Sequence, residues 1–341
     1  MSMLPISPCH PGPVLPGDVM TTDAMIEVRV ARKAVEAQDV CTFELVSASG
    51  RPLPPFSAGS HIDVEVAPGL TRQYSLCNDA GESHRYVIGV LRDPNTRGGS
   101  GGMHDYVAEG SVVRISAPRN HFPLVHGAKR SLLLAGGIGV TPLLCMAERL
   151  AATEAAFEMH YCTRSVERTA FRQRILDSSF AESVHFHYDD GDAQQRIAVP
   201  ELLGEPDPET HVYVCGPSGF LDFVLTTARA NGWSESNLHC EYFSGKAVEA
   251  TGDTAFHVRV ASSGKLIPVA PGQSVVAALQ TIGIEVPMSC EQGVCGTCVT
   301  RVLEGEVDHR DMYFTDAEKA CNDQFTPCCS RAKSSVLVLD L

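Results

Sequence analysis

Three cysteines, Cys290, Cys295 and Cys298, stand within nine residues of one another. Thiolates spaced C-x4-C-x2-C converge only if the backbone curls around a common centre. Gly293 and Gly296 permit that curl, and backbone N–H groups then point at sulfur. The spacing is that of a plant-type [2Fe–2S] site, which takes its fourth cysteine from farther along the chain. Structural zinc usually calls on two C-x-x-C knuckles, and only one is present here. A Rieske centre needs two histidines among its ligands, and the loop offers none at the required spacing. Cys321, Cys328 and Cys329 are all candidates for the fourth ligand. Adjacent side chains on an extended chain project in different directions, so Cys328 and Cys329 do not serve one iron together.

Two further constellations suit phosphates and flat rings. Arg72-Gln73-Tyr74-Ser75-Leu76 reads as a strand, with Arg72 and Tyr74 on one face. A guanidinium binds phosphate in bidentate fashion, and a tyrosine ring can lie along a flavin. Arg97-Gly98-Gly99-Ser100-Gly101-Gly102 then leads into a helix expected at MHDYV, a nest of amides suited to a phosphate. Gly136-Gly137-Ile138-Gly139-Val140-Thr141-Pro142 fails the G-x-G-x-x-G fingerprint, because Pro142 occupies the last glycine position. It remains a glycine turn at a strand end, opening onto a helix with Thr141 as its expected N-cap. Cys215-Gly216-Pro217 repeats the arrangement, with Cys215 read as a buried strand-end thiol.

Three kinds of element must position these residues. IEVRVARKAV, HIDVEVAPG, RQYSLCND, RYVIGVLRD and SVVRISAP read as five short strands between turns, as in an antiparallel β-barrel. SLLLAGGIGVTPLLCMAERLAA and HVYVCGPSGFLDFVLTTARANG each read as strand, loop and helix, as in an α/β domain with a parallel sheet. Ligands of such sheets bind at the carboxyl ends of the strands. FHVRVASSGKLIPVA reads as a hairpin, SVVAALQTIG as a helix ended by Gly283, and SVLVLDL as a closing strand. The expected organisation is a proline-rich extension (1–24), a flavin barrel (25–122), a nucleotide domain (123–244), a linker (245–254) and an iron–sulfur domain (255–341).

The 341 residues carry 27 basic and 41 acidic side chains, a formal charge of −14. That balance argues against nucleic acid or a membrane surface as partner. No stretch of ~20 apolar residues is present to span a bilayer. No Lys or Arg precedes Arg29, so the basic start of a secretory signal is missing and a cytoplasmic location is expected. A reducing compartment accommodates the thirteen cysteines without disulfides. Between 301 and 323, Glu304, Glu306, Asp308, Asp311, Asp316, Glu318 and Asp323 outnumber Arg301, Arg310 and Lys319, a stretch able to steer a basic partner or simply to be solvated.

In RQYSLCND, RGGS, LAGGIGVTPLL, VYVCGPSGF, EYFSG, SCEQGVCGTC and FTPCCSRAKSSVLVLDL, the chain resembles the phthalate dioxygenase reductase family over about residues 25–341. The resemblance implies a multidomain protein: an FMN-binding β-barrel, an NAD-binding α/β domain and an α+β ferredoxin domain of β-grasp type. Arg72, Arg97 and the Gly98–Gly99–Ser100 loop would hold the FMN phosphate. Tyr74 and Ser75 would line the flavin ring, with the Ser75 hydroxyl near N5. Gly136, Gly137, Gly139, Thr141, Cys215, Gly216 and Pro217 would frame the nicotinamide half of NADH. Phe243 would cover the flavin face until nicotinamide displaces it. In C-C-S-R the family's ligand is the first cysteine, which makes Cys328 the fourth ligand beside Cys290, Cys295 and Cys298.

FMN is preferred to FAD because only Tyr106 offers an aromatic platform for an adenine. Asp189, Asp190 and Asp192 favour the ribose of NADH, whereas Arg164 and Arg168 would attract the extra phosphate of NADPH. NADH gives two electrons as a hydride and a [2Fe–2S] cluster takes one at a time, so the flavin stands between them as converter. The implied acceptor is the Rieske centre of a terminal oxygenase acting on aromatic acids or methoxy-aromatics. The alternatives are the reductase of a quaternary-amine monooxygenase, a self-contained flavin oxygenase, and a zinc-binding structural or sensor protein.

Overall fold

The computed structural model describes residues 25–94, 98–243 and 252–341. The proline-rich extension, Arg97 and most of the expected linker lie outside the described residues. Alternating apolar residues build the first unit from β1 (Ile26–Ala37), β2 (Val40–Ser47), β3 (Ser60–Ala67), β4 (Leu70–Ser75), β5 (Tyr86–Leu91), helix α1 (Gly99–Tyr106), β6 (Val112–Ile115) and β7 (Arg119–Asn120). The antiparallel order is β4-β3-β6-β1-β2-β5, with β7 added to β3. A bridge from Leu76 to Ile88 joins the two ends and closes the barrel. Val28, Val30, Phe43, Leu45, Ile62, Val64, Leu76, Ile88 and Ile115 fill it. β2 is not among the strands expected from alternation. Its turn from β1 contains neither Gly nor Pro, and Asp39 supplies the left-handed residue (φ 64°).

The second unit contains β8 (Arg130–Gly136), α2 (Val140–Ala152), β9 (Ala156–Thr163), α3 (Arg172–Leu176), β10 (Val184–Tyr188), α4 (Val199–Leu203), β11 (Thr210–Cys215), α5 (Ser218–Ala230) and β12 (Leu238–Glu241). Its sheet runs β10-β9-β8-β11-β12, all parallel. Leu143, Leu144 and Met146 of α2 pack with Met159, Tyr161 and Val184 on one face. Leu221, Val224 and Leu225 of α5 pack with Leu132, Leu134, Val212 and Val214 on the other. The chain winds outward from β8 in both directions, so the crevice between β8 and β11 is the switch point where ligands of such sheets bind.

The third unit contains β13 (Phe256–Val260), β14 (Leu266–Val269), α6 (Val275–Gln280), β15 (Thr300–Glu304), β16 (Val307–Asp308), α7 (Asp316–Cys321), β17 (Gln324–Phe325), β18 (Arg331–Ala332) and β19 (Val336–Leu339). A mixed sheet, β14-β13-β19-β15-β17, packs Val258, Ile267, Val302, Leu337 and Leu339 against Val275, Val276 and Leu279 of α6. The closing strand pairs in parallel with β13, which gives the expected β-grasp arrangement. Among the described residues, no helix is long and apolar enough to cross a membrane.

Candidate functional site

The barrel presents Arg72 and the glycine loop to each other. Helix α1 starts at Gly99, earlier than expected, behind a left-handed Gly98 (φ 87°). A Cβ at Gly99 would stand 2.6 Å from Arg72 Cγ and 2.7 Å from its Nε. Only glycine lets the guanidinium stem lie against the helix start, so cation and amide donors converge. The Tyr74 hydroxyl is buried and has no hydrogen-bond partner among the described residues. An orphaned donor beside this cradle fits a bound group carrying phosphate and hydroxyls. Ser100 lies on the same turn, its Oγ accepting from the Asp93 amide at 3.1 Å. Tyr106 is 85% exposed at the far end of α1.

At the switch point, two loops are packed backbone on backbone. A Cβ at Gly139 would collide with the Cys215 carbonyl, so the loop after β8 requires glycine to lie against the loop after β11. Gly136, Gly137 and Thr141 stand on one side, Cys215, Gly216 and Pro217 on the other. Thr141 is not the N-cap of α2. The helix starts at Val140 behind Gly139, and buried Thr141 donates from Oγ1 to the Ile138 carbonyl at 3.0 Å. The 3-10 turn at Gly137–Gly139 moves the helix start back, which a motif reading could not foresee. Cys215 is fully buried, and burial pushes its thiol well above the ordinary range.

The two units meet at a residue that the motifs did not single out. Ser75, 5% exposed, donates from Oγ to Glu241 Oε2 at 3.2 Å. Glu241 ends β12 beside Cys215, its register partner. Burial raises its carboxyl to about 8, against the opposing Ser75 bond. The signal lay in the E of EYFSG, masked by the aromatic residues after it. Phe243 follows two residues later and is 39% exposed. On the nucleotide side, Asp189 and Asp190 follow β10 and bond through their amides to the Thr163 and Arg164 carbonyls. Arg168 pairs with Asp39 of the barrel at 3.1 Å, which draws its charge away from a nucleotide phosphate.

The cysteines converge as their spacing requires. Cys290 interacts with Cys295 and Cys328, and Cys328 reaches Cys298 as well. The Cys290 sulfur accepts from the Gln292 and Val294 amides at 3.4 Å, and Cys295 accepts from the Thr297 amide at 3.5 Å. Bonds from Cys295, from Cys328 and from these amides hold the Cys290 thiol far below the ordinary range. Gly293 (φ 71°) makes the curl, and a Cβ there would strike the Cys329 sulfur and stand 2.9 Å from Asp311 Cβ. Cys329 turns towards hydroxyls, with Thr326 Oγ1 at 3.3 Å, while Cys321 is exposed on α7. Sulfur donors ringed by amides suit a [2Fe–2S] cluster.

This loop sits on the barrel. Ser289 Oγ donates to Asp63 Oδ1 at 2.9 Å, both residues being buried, and Asp63 also pairs with Arg119. Arg72 Nη1 lies 3.5 Å from Glu291 Oε1, and His121 meets the Tyr313 ring edge-to-face at 6.0 Å. The residues on either side of Cys290 therefore touch two paired strands of the barrel, Ser289 meeting Asp63 of β3 and Glu291 meeting Arg72 of β4. The acidic stretch is less of a surface than its composition suggests. Asp311 is buried and accepts from Phe314 N and Ser330 Oγ, Asp308 pairs with Arg310, and Glu318 completes a capping box with Thr315.

Comparison with known proteins identifies the second and third units and the family of the chain. Residues 133–226 match the family model "Oxidoreductase NAD-binding domain", and residues 258–333 match "2Fe-2S iron-sulfur cluster binding domain". The chain is 53% identical over 317 residues to a vanillate O-demethylase oxidoreductase of a Pseudomonas species, covering 93% of this chain and all of that one. It is 41% identical over 326 residues to the phthalate dioxygenase reductase of Burkholderia cepacia, covering 94% and 100%. A solved phthalate dioxygenase reductase, described as modular for electron transfer from pyridine nucleotides to [2Fe-2S], superposes with a TM-score of 0.74 at 41% identity, covering 94% of this chain and 98% of that one. An intact type IV self-sufficient cytochrome P450 monooxygenase gives 0.82 at 38% identity, covering 97% of this chain and 43% of the other. The chain belongs to the family of vanillate O-demethylase oxidoreductases and phthalate dioxygenase reductases, flavin proteins that carry electrons from NADH through a [2Fe–2S] cluster to an oxygenase.

Proposed function

We propose that this chain is the reductase of a Rieske-type oxygenase that acts on methoxy-aromatic or aromatic acids, with FMN as its flavin. The observation that carries the reading is the seating of the cluster loop on the barrel through Ser289–Asp63, beside the strand of Arg72 and Tyr74. With both groups bound, that seating would bring a two-electron centre next to a one-electron outlet.

The flavin converts the hydride of NADH into single electrons for the cluster. Arg72 and the amides of Gly98, Gly99 and Ser100 bind the FMN phosphate, while Tyr74 orients the chain behind it. Ser75 would line the flavin ring, and Glu241 holds a proton on its carboxyl beside the Ser75 hydroxyl at neutral pH. The loops at Gly136–Thr141 and Cys215–Pro217 bind the nicotinamide half, and Phe243 shields the flavin face from water and oxygen. Cys290, Cys295, Cys298 and Cys328 ligate the cluster.

With NADH, the purified holoprotein should reduce a vanillate- or phthalate-type Rieske oxygenase, followed by loss of the oxidised Rieske spectrum. Preference for a quaternary-amine oxygenase would assign the alternative partner. Cys328→Ser should lose the cluster absorbance and two irons per chain, while Cys329→Ser keeps both. Ser289→Ala removes a bond to a charged group, about 1.5–3 kcal/mol of seating. Cytochrome c reduction through the cluster should slow, while ferricyanide reduction at the flavin stays unchanged. Finally, Glu241 has its folded pKa raised from 4.5 to about 8, so its contribution to stability is full at acid pH and falls as the pH rises through that window. Urea midpoints should therefore drop less between these two pH values in Glu241→Gln than in the unmodified protein.

A further inference from the structure

A second donor cluster lies on the nucleotide unit, away from all three sites above. β9 and β10 pair in parallel with His160 opposite His185. Alternation puts Glu158, His160, His185 and His187 on one face of this strand pair. Met159, Tyr161, Val184 and Phe186 take the other, against α2. α5 packs over β8 and β11, and β10 is the edge of the sheet. The polar face of the pair thus holds three imidazoles and a carboxylate where an apolar surface would be expected.

We propose that Glu158, His160 and His185 bind a zinc ion. Glu158 Oε1, His160 Nε2 and His185 Nε2 all lie within 4.8 Å of one another, the oxygen 3.1 Å from each nitrogen. Two ligands of a tetrahedral zinc, each at its usual bond length, stand roughly 3.3 Å apart. The two oxygen–nitrogen distances are therefore close to those of a coordination shell, and three protein donors leave the fourth position to water.

The hydrogen-bond chain behind them says why a cation belongs there. His187 Nδ1 lies 2.9 Å from the Gln195 carbonyl, which can only accept, so that nitrogen carries the proton. His187 Nε2 then accepts, and His160 Nδ1, 2.9 Å away, donates to it. Neutral His160 is left with a lone pair on Nε2, and that lone pair faces the carboxylate oxygen of Glu158. Two acceptors meet with no proton between them. A divalent cation fills that gap. Arg130 Nη2 occupies the other carboxylate oxygen, Oε2, at 2.6 Å and leaves Oε1 for the ion. The link through His187 to a backbone carbonyl is the kind of outer-shell contact that orients a metal-binding imidazole.

Two imidazoles and a carboxylate suit zinc better than the hard cations magnesium and calcium, which take mostly oxygen. The ion would tie edge strand β10 to β9 just before the turn at Asp189–Asp192. A second histidine pair, His211–His239, joins β11 to β12, with Nδ1 and Nε2 2.9 Å apart, but has no third donor grouped with it among the described residues. It serves as the internal control.

The test is zinc titration of the untagged holoprotein by calorimetry, with flavin and cluster intact and exposed Cys321 changed to Ser throughout. One saturable equivalent of Zn2+ is expected, with a rise in melting temperature. His185→Ala, at a half-exposed position that the fold does not need, should abolish both effects, as should Glu158→Gln. His187→Ala keeps all three donors and should weaken binding about tenfold. His239→Ala should change nothing. Zinc binding that survives His185→Ala and Glu158→Gln, or the absence of a saturable equivalent, overturns the proposal. The flavin and cluster spectra of each variant report folding independently of zinc.

Discussion

A buried carboxylate, Asp63, joins the cluster loop to the flavin barrel, and the electron path depends on that junction. It sits on β3, is held by Arg119, and takes the Ser289 hydroxyl one residue before Cys290. A buried charge persists only where its partners satisfy it, so removing either partner costs more than an ordinary hydrogen bond. Electron transfer over short distances needs the donor and acceptor units to remain seated. Here the seating contact is polar and specific rather than a broad apolar interface. The neighbouring Arg72–Glu291 pair is longer, at 3.5 Å, and more exposed, and so contributes less.

A second polar contact, Ser75–Glu241, does the same for the barrel and the nucleotide sheet. Its carboxyl is desolvated and mostly neutral near pH 7, so it holds a proton beside the Ser75 hydroxyl. Cys215, adjacent to it, is fully buried, and its raised thiol stays neutral. Around this bond the interface is apolar: Val40, Ala58, Val87 and Phe122 of the barrel share one buried core with Leu143, Leu144 and Met146 of α2. That environment is suited to moving a hydride between two rings while excluding competing ions.

Much of this was legible along the chain. The cysteine spacing called for a curled loop with amides aimed at sulfur, and Gln292, Val294 and Thr297 supply them. The two strand–loop–helix units predicted a parallel sheet, and their loops do face each other across its switch point. Strand β2 escaped because its hairpin turn rests on a left-handed Asp39 rather than on a glycine. The start of α2 was misread because a 3-10 turn precedes it and buries Thr141. Asp311, counted as a surface charge, is a buried acceptor for the loop beside the cysteines.

What the sequence determined by itself was chemistry that depends on short spacing. Thiolates within nine residues, glycines at a strand end and an arginine two residues from a tyrosine have only local distances to satisfy. What only the tertiary structure decided were contacts between residues far apart in the chain. Asp63 meets Ser289, Ser75 meets Glu241, and Glu158 meets His185 across two strands. No periodicity encodes such pairs. Each arises from the packing of whole sheets, and a single carboxylate or hydroxyl in an otherwise ordinary strand shows nothing of its partner until the units close.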